Sequence, residues 1–140
     1  ISPDGMFVLI EGRDSVQLFT NNGVFIKQLS RDGSEIEYHA EYSPTGKYSS
    51  ISGMDDAWPS MLDSKTLVPL IKLQNAKDEN IYVETEIKDV TFSPDEKTFA
   101  GAGTSGKMYV WDTKTGRLLH ILEGRKLCHG KGVQRVIQIL

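Results

Sequence analysis

One turn motif occurs three times in this chain, and its recurrence limits the possible folds more than any other feature. A Ser-Pro dipeptide begins at Ser2, Ser43 and Ser93, and a short polar or glycine-containing turn follows each one. The motifs are separated by 41 residues (position 2 to 43) and 50 residues (position 43 to 93). Periods of about 20 to 50 residues are typical of stacked repeat units. We therefore expect the chain to be built from a repeated structural unit.

The third repeat, residues 90–123, has the clearest pattern. It contains four short runs that are rich in β-branched, aromatic or small apolar residues. Turn clusters separate these runs at 93–95, 104–106 and 113–116. Because two of the turns are only a few residues long, neighbouring strands are expected to pair antiparallel as hairpins. The repeat therefore predicts a meander of four strands.

The two earlier repeats show the same alternation of strands and turns. The first predicts three strands, at 6–11, 15–20 and 24–29, and Asn22-Gly23 is a strong hairpin signal before the last of them. The second predicts four strands and an insertion at 54–60; the strands are at 36–42, 47–53, 61–63 and 67–73. A run at 81–83 is expected to extend the next strand early. The predicted fold class is all-β.

The third repeat resembles a WD repeat, the four-stranded unit that forms one blade of a β-propeller. Four segments carry the resemblance: Ser93-Pro94-Asp95, the small-residue run 100–103, Val110-Trp111-Asp112 and Thr115-Gly116-Arg117. The resemblance implies a partial propeller of about three antiparallel blades, with structural roles for Ser93, Pro94, Trp111 and Asp112. The implied blades span 1–30, 36–73 and 81–123, and residues 132–140 would open a further blade. The first blade lacks its first strand, which the C-terminal strand would supply or match.

The chain departs from the WD pattern at three places. Glu96 stands where the turn usually has glycine, Ser105 where a turn aspartate is expected, and Gly124-Arg125 where the family has Gly-His. The buried hydrogen-bonded tetrad of well-formed WD repeats is therefore not expected in the third repeat. The first repeat, with Ser2-Pro3-Asp4-Gly5, also resembles the propellers of periplasmic Tol-associated proteins and those that cap prolyl peptidases.

Composition limits the partners and the compartment. The chain has 140 residues, and its 16 Lys+Arg against 19 Asp+Glu give a formal net charge of -3 with no long run of one sign, so a nucleic-acid partner is not predicted. The single cysteine, Cys128, cannot form an internal disulfide. No apolar run reaches the roughly 18 to 20 residues that cross a bilayer. We expect a soluble cytoplasmic or nuclear chain, with no membrane association, that is a piece of a longer protein.

Three patterns could suggest chemistry, and each has a simpler explanation. Residues 101–106 fit Gly-x-Gly-x-x-Gly, but a strand follows instead of the helix that a dinucleotide site needs, so the glycines predict close packing and a hairpin turn. Adjacent Cys128-His129 lacks the spacing of zinc ligands. The acidic pairs Asp55-Asp56 and Asp78-Glu79 fall in predicted loops and are expected to be solvated. No catalytic residue, cofactor or metal is predicted.

The insertion in the second repeat contains the strongest candidate for binding. Trp58 is flanked by Asp55 and Asp56, and loops between the second and third strands of a blade surround one mouth of a propeller channel, where aromatic residues often anchor partners. The alternative is that Trp58 folds back onto its own blade. The basic residues Arg13, Arg125 and Lys126 are assigned to the same rim. The rim is therefore the predicted partner-binding surface.

These features predict a non-catalytic scaffold whose rim loops hold a protein or peptide partner within a larger complex. The alternative is a propeller segment of an enzyme-linked protein, either an access filter for a peptidase or hydrolase or a periplasmic Tol-type propeller. Three blades cannot cover their own end faces, so further blades or self-association are expected to cover them.

Overall fold

The computed structural model describes residues 1–30, 38–52, 59–71, 73, 87–104 and 106–123. Within these ranges the chain is all-β: eleven antiparallel strands form three sheets, and no helix occurs. No helix in this part of the chain is therefore long and apolar enough to cross a membrane. The prediction of a repeated, antiparallel all-β architecture is confirmed.

Each sheet is a meander whose strands pair in chain order. Sheet 1 contains β1 (Phe7–Glu11), β2 (Ser15–Thr20) and β3 (Phe25–Ser30). Sheet 2 contains β4 (His39–Tyr42), β5 (Tyr48–Ser52), β6 (Ser60–Asp63) and β7 (Pro69–Ile71). Sheet 3 contains β8 (Ile87–Phe92), β9 (Thr98–Gly103), β10 (Lys107–Asp112) and β11 (Leu118–Glu123).

The sequence located these strands to within a few residues, with two corrections. β6 begins at Ser60, inside the predicted insertion 54–60. Leu67 was predicted to begin the outer strand of sheet 2, but it lies in the preceding turn with φ 53°. Its backbone N–H donates to the Asp63 carbonyl at 2.9 Å, and β7 begins two residues later, at Pro69. The predicted strands at 81–83 and 132–140, and residues 54–58 of the insertion, lie outside the described residues.

The three Ser-Pro turns have the same hydrogen bonds. In each turn the serine N–H donates to the carbonyl of the fifth residue onward at 2.9 Å, and the N–H of that residue donates back to the serine Oγ; these residues are Phe7, Tyr48 and Thr98. The third residue onward has a positive φ each time: 72° at Gly5, 75° at Gly46 and 56° at Glu96. The motif found in the sequence therefore recurs as one structural corner.

The ends of β2, β6 and β10 also match between sheets. The residue that follows each of these strands donates its N–H to the carbonyl of the fourth residue after the Ser-Pro serine; the pairs are Asn21 to Met6 at 2.8 Å, Ser64 to Lys47 at 3.4 Å and Thr113 to Lys97 at 3.0 Å. Each of these strands also has a register shift against the strand that follows it, one or two residues before it ends. These shared contacts give the three sheets a common frame of equivalent positions.

The core lies between the sheets, in two clusters of buried side chains. One joins sheets 1 and 2 and contains Val16, Leu18, Tyr38, Ile51, Leu62 and Leu67. The other joins sheets 2 and 3 and contains Met61, Leu73, Ile87, Val90, Phe92, Phe99, Tyr109, Trp111 and Leu118. Sheet 2 is therefore the middle layer, with apolar residues on both of its faces.

Glycine allows the tight packing inside sheet 3, as the sequence predicted. A Cβ atom at Gly101 would lie 2.8 Å from Ile87 Cγ2 and 3.1 Å from Trp111 Cζ3. Such distances are below van der Waals contact, so a side chain here would displace Ile87 and crowd the Trp111 ring. Gly106 has φ 81° and closes the β9–β10 turn by donating its N–H to the Gly103 carbonyl at 3.1 Å.

The second strand of the middle sheet is unusually polar. Ser49, Ser50 and Ser52 are fully buried on β5, and among the described residues their hydroxyl groups have no hydrogen-bond partner. The same positions in β9 hold Phe99, Ala100 and Ala102, which are also fully buried. The backbone unit is therefore kept between sheets while the side chains that fill it differ.

Candidate functional site

The first strands of sheets 2 and 3 and the end of β1 converge on an open cleft of about 320 Å³. Strand pairing sets this arrangement: His39 lies opposite Ser52, and Asp89 lies opposite Ala102, so β4 and β8 begin at the end of the sheets where β5 and β9 finish. The cleft is lined by Glu11, His39, Ala40, Glu41, Asp89, Val90 and Thr91. We refer to these seven residues as the inner cleft.

Glu41 is a partly buried carboxyl group of the inner cleft with a shifted pKa. Burial removes water from its charged form and raises its pKa from 4.5 to about 7. A hydrogen bond donated by Thr91 Oγ1 at 3.4 Å opposes this shift, and the negative charge of Asp89 reinforces it. Because Thr91 is on β8 and Glu41 is on β4, the same contact joins sheets 3 and 2.

A second polar contact joins sheets 1 and 2 at the inner cleft. His39 Nδ1 lies 3.6 Å from Glu11 Oε2, and both side chains are about half exposed. The pair carries opposite charges only when His39 is protonated. Exposed pairs of this kind contribute little to stability, about 0 to 1 kcal/mol. Its main effect is to place a third carboxyl group beside Glu41 and Asp89.

The chemistry of the inner cleft is acidic and suits cationic groups. Glu11, Glu41 and Asp89 supply carboxyl oxygens, and the Asp89 Oδ1 atom accepts the Val90 N–H at 3.0 Å. Carboxylates attract ammonium and guanidinium groups, which donate charge-assisted hydrogen bonds to them. Within the described ranges, no three His, Cys, Asp or Glu side chains are grouped as metal ligands.

Of the six predicted rim residues, Arg13 is among the described residues. Arg13 is exposed in the turn between β1 and β2, which Gly12 closes by donating its N–H to the Ser15 carbonyl at 2.9 Å. This turn follows Glu11 directly, so Arg13 lies at the cleft end of sheet 1. Asp55, Asp56, Trp58, Arg125 and Lys126 lie outside the described residues.

The four residues assigned structural roles lie in sheet 3 and its turns. Trp111 is fully buried on β10, 5.7 Å from the Phe99 ring and 6.0 Å from the Tyr109 ring, centroid to centroid. Asp112 accepts the Thr115 hydroxyl at 2.8 Å and its N–H at 2.7 Å, and these bonds lower the Asp112 pKa. Ser93 is buried in its turn, and Pro94 beside it is exposed.

Sequence reasoning missed the inner cleft. Its polar residues lie in strands that were predicted, but nothing in a single strand shows which other strands converge on it. One signal was present: His39 and Glu41 alternate with Ala40 and Tyr42 in a first strand. Period-2 alternation predicts that the two polar side chains share a face, and the register with Ser50 and Ser52 agrees.

Comparison with models of known protein families found no match, and a search of curated proteins found no significant relative. Function must therefore be inferred from the repeated sheets and from the surfaces at their ends.

Proposed function

We propose that this chain is part of a WD-type β-propeller that serves as a non-catalytic scaffold for a protein or peptide partner in a larger complex. The observation that carries the proposal is the threefold Ser-Pro corner, in which Ser2, Ser43 and Ser93 make the same backbone and side-chain hydrogen bonds. Propeller blades are repeated four-stranded meanders of this kind. The reduced environment of the cytoplasm or nucleus suits the single cysteine.

Contacts between successive sheets also support stacking of equivalent units. The first and second Ser-Pro turns are in close contact, because a Cβ atom added to Gly46 of the second would lie 3.0 Å from Pro3 Cδ of the first. Glu96 of the third turn accepts hydrogen bonds from the N–H and hydroxyl of Thr45 in the second, each at 2.8 Å. The three corners therefore follow one another along one end of the sheets, as neighbouring blades of a propeller do.

The opposite end of the sheets is the surface that we assign to the partner. It carries Arg13 and the inner cleft, and β5 ends and β6 begins there on either side of the segment that contains Trp58. Rigid strands position this end, and its connections can vary in sequence without disturbing the core. Binding residues on such connections need no catalytic group to act.

Affinity capture with single variants tests this assignment. Trp58→Ala and Arg13→Ala are each expected to reduce partner capture at least about tenfold, equivalent to about 1.4 kcal/mol. Lys114→Ala is the matched control, because Lys114 is an exposed basic residue in the β10–β11 turn at the other end of the sheets. Equal capture by all three variants, each with wild-type circular dichroism, would place the partner elsewhere.

A further inference from the structure

The turn between β2 and β3 holds an exposed asparagine next to a glycine. Asn22-Gly23 is the single Asn-Gly dipeptide of the chain, and both residues are exposed. Gly23 has φ 87°, and its N–H donates to the Thr20 carbonyl at 3.0 Å. The Thr20 hydroxyl donates to Asn22 Oδ1. The side-chain amide of Asn22 is therefore open to water and is followed by a backbone nitrogen that no Cβ atom shields.

This arrangement suits an intramolecular reaction of the asparagine side chain. The Gly23 nitrogen loses its proton to water and forms a bond with Asn22 Cγ; the Cγ–Nδ2 bond breaks, and the amide group takes up a proton and leaves as ammonia. The product is a five-membered succinimide. A water molecule then opens it at one of its two carbonyl carbons, which leaves an aspartate or an isoaspartate. The Thr20 hydroxyl assists the first step, because a donor on Oδ1 stabilises the negative charge that develops there.

The equivalent turns of sheets 2 and 3 lack this arrangement. Their left-handed residues are Leu67 and Gly116, and a threonine precedes each of them, Thr66 and Thr115. A threonine side chain has no carbonyl group that a backbone nitrogen could attack. Of these three turns, only the one in sheet 1 therefore pairs a left-handed residue with a reactive amide.

A second glycine of sheet 1 follows a carboxyl group, but that group is protected. Asp4 precedes Gly5, which has φ 72°. The Asp4 carboxylate accepts the Ser2 hydroxyl at 2.6 Å and the Met6 N–H at 3.0 Å, and these hydrogen bonds lower its pKa. An ionised carboxylate is a poor electrophile, because it offers the nitrogen no neutral leaving group. The reaction is therefore specific to the β2–β3 turn within sheet 1.

We infer that Asn22 is a site of spontaneous deamidation through a succinimide, with water as the co-reactant. The folded turn holds the Gly23 N–H on the Thr20 carbonyl, so the reaction proceeds when the turn opens locally. This inference goes beyond the proposed partner function, which uses the opposite end of the sheets.

The two products change the turn in different ways. Aspartate adds a negative charge at the end of sheet 1 that carries the first Ser-Pro corner, since Asn21 donates its N–H to the Met6 carbonyl there. Isoaspartate also adds one carbon atom to the backbone of the turn. Because hairpin register depends on loop length, the isoaspartate product should loosen the pairing of β2 with β3.

Peptide mass spectrometry of the purified chain, sampled during incubation at mildly alkaline pH, tests the site. We expect Asn22 to lose its amide at least about tenfold faster than Asn21, because Gly23 has no side chain to hinder the attack. Asn21 is the internal control, since it is exposed in the same turn but precedes a residue with a side chain. Chromatography should resolve both aspartate and isoaspartate forms of the peptide.

A pair of glycine variants tests the role of the unshielded nitrogen. Gly23→Ala should slow the loss of the Asn22 amide at least about tenfold. Gly106→Ala is the matched control, because Gly106 also has a positive φ, 81°, with open space around its Cβ position, but lies in the β9–β10 turn. Circular dichroism verifies that each variant is folded.

Three results would overturn the inference. One is equal rates at Asn21 and Asn22 in the wild-type chain, which needs no variant to measure. Another is an aspartate product without isoaspartate, since direct hydrolysis and not a succinimide would then be the route. The third is an equal effect of Gly23→Ala and Gly106→Ala. The capture experiment with Trp58→Ala reads the other end of the sheets, so either proposal can fail without the other.

Discussion

Glu96 has a left-handed backbone, φ 56°, where the other two Ser-Pro turns have Gly5 and Gly46. For a residue other than glycine, this backbone conformation is less stable than a right-handed one by about 1 to 2 kcal/mol. Its carboxylate accepts hydrogen bonds from the Thr45 N–H and hydroxyl, and these contacts join sheets 3 and 2. Partial burial alone would raise the Glu96 pKa, but hydrogen bonds from Ser43 and Thr45 and the charge of Lys47 lower it.

Substitution of Glu96 should separate the strain from the contact. Glu96→Ala keeps the backbone strain and loses the hydrogen bonds, so we expect the free energy of unfolding to fall by about 1 to 2 kcal/mol. Glu96→Gly also loses the bonds but relieves the strain, and it should be close to neutral, within about 0.5 kcal/mol. Urea denaturation measures both. An equal loss in the two variants would show that the strain is negligible.

Glu41 should make the stability of the chain depend on pH near neutrality. Its pKa is about 7 in the folded protein against an ordinary value of 4.5, so the folded state binds the proton more tightly than the unfolded state. This contribution is fully present below pH 4.5 and is lost as the pH rises through about 7. The melting temperature should therefore be lower on the alkaline side of pH 7 than on the acidic side.

Glu41→Gln is the test of this pH dependence. Glutamine has nearly the same shape and does not titrate, so the variant should show a flatter melting temperature between pH 4.5 and pH 7. Glu123→Gln is the control, because Glu123 is an exposed carboxylate at the end of β11, paired with Lys107 at 3.1 Å. An unchanged slope in Glu41→Gln would assign the effect to another group.

Sheet packing depends most on the aromatic cluster between sheets 2 and 3. Trp111→Ala removes a fully buried ring that contacts Phe99 and Tyr109. We expect it to lower the free energy of unfolding by about 3 to 5 kcal/mol through lost burial and the cavity left behind. Phe25→Ala is the control, because Phe25 is an exposed aromatic and should cost about 1 kcal/mol. Equal losses of stability in the two variants would contradict the assignment of Trp111 to the buried core.

The strands could be predicted because the signals for each one lie in its own stretch of sequence. Period-2 alternation, turn dipeptides and the Ser-Pro spacing are local, and β2 was predicted at its observed bounds. Leu67 was misplaced because its fully buried apolar side chain suits a strand, whereas the Asp63 side chain holds the turn through Lys65 and Thr66. Local hydrogen bonds outweighed hydrophobic pattern there.

The inner cleft could not be predicted for a different reason. Glu11, Glu41 and Asp89 are far apart in the sequence, and only the stacking of three sheets brings them to one place. The contacts between Thr45 and Glu96 and between Thr91 and Glu41 span about fifty residues in the same way. A single sequence shows which residues alternate within a strand, but not which strand edges converge.

Across the whole molecule, the middle sheet is the most constrained layer. Sheet 2 is packed on both faces, whereas sheet 1 is packed on one and has exposed apolar residues on the other. In stacked repeats, stability is roughly the sum of each unit and its contacts with neighbours. Sheet 1 should therefore open more readily than the sheets that share the larger aromatic cluster.

Hydrogen exchange should resolve this order. Backbone amides of β9 and β10 are expected to exchange more slowly than those of β1 and β2, because the buried cluster that joins sheet 3 to sheet 2 is larger than the one that joins sheet 1 to sheet 2. Paired strands within one sheet serve as internal standards, since their hydrogen bonds are alike. Uniform protection in all three sheets would instead indicate that the chain unfolds as one cooperative unit.

The three buried serines of β5 are positions at which substitution should increase the stability of the fold. Ser49, Ser50 and Ser52 hold hydroxyl groups away from water without a hydrogen-bond partner among the described residues, an arrangement that costs about 1 to 3 kcal/mol per group. Ser50→Ala should raise the melting temperature, as differential scanning calorimetry would show. Replacing all three serines with alanine would delete three buried oxygen atoms. The variant should have a higher melting temperature and an unchanged binding surface.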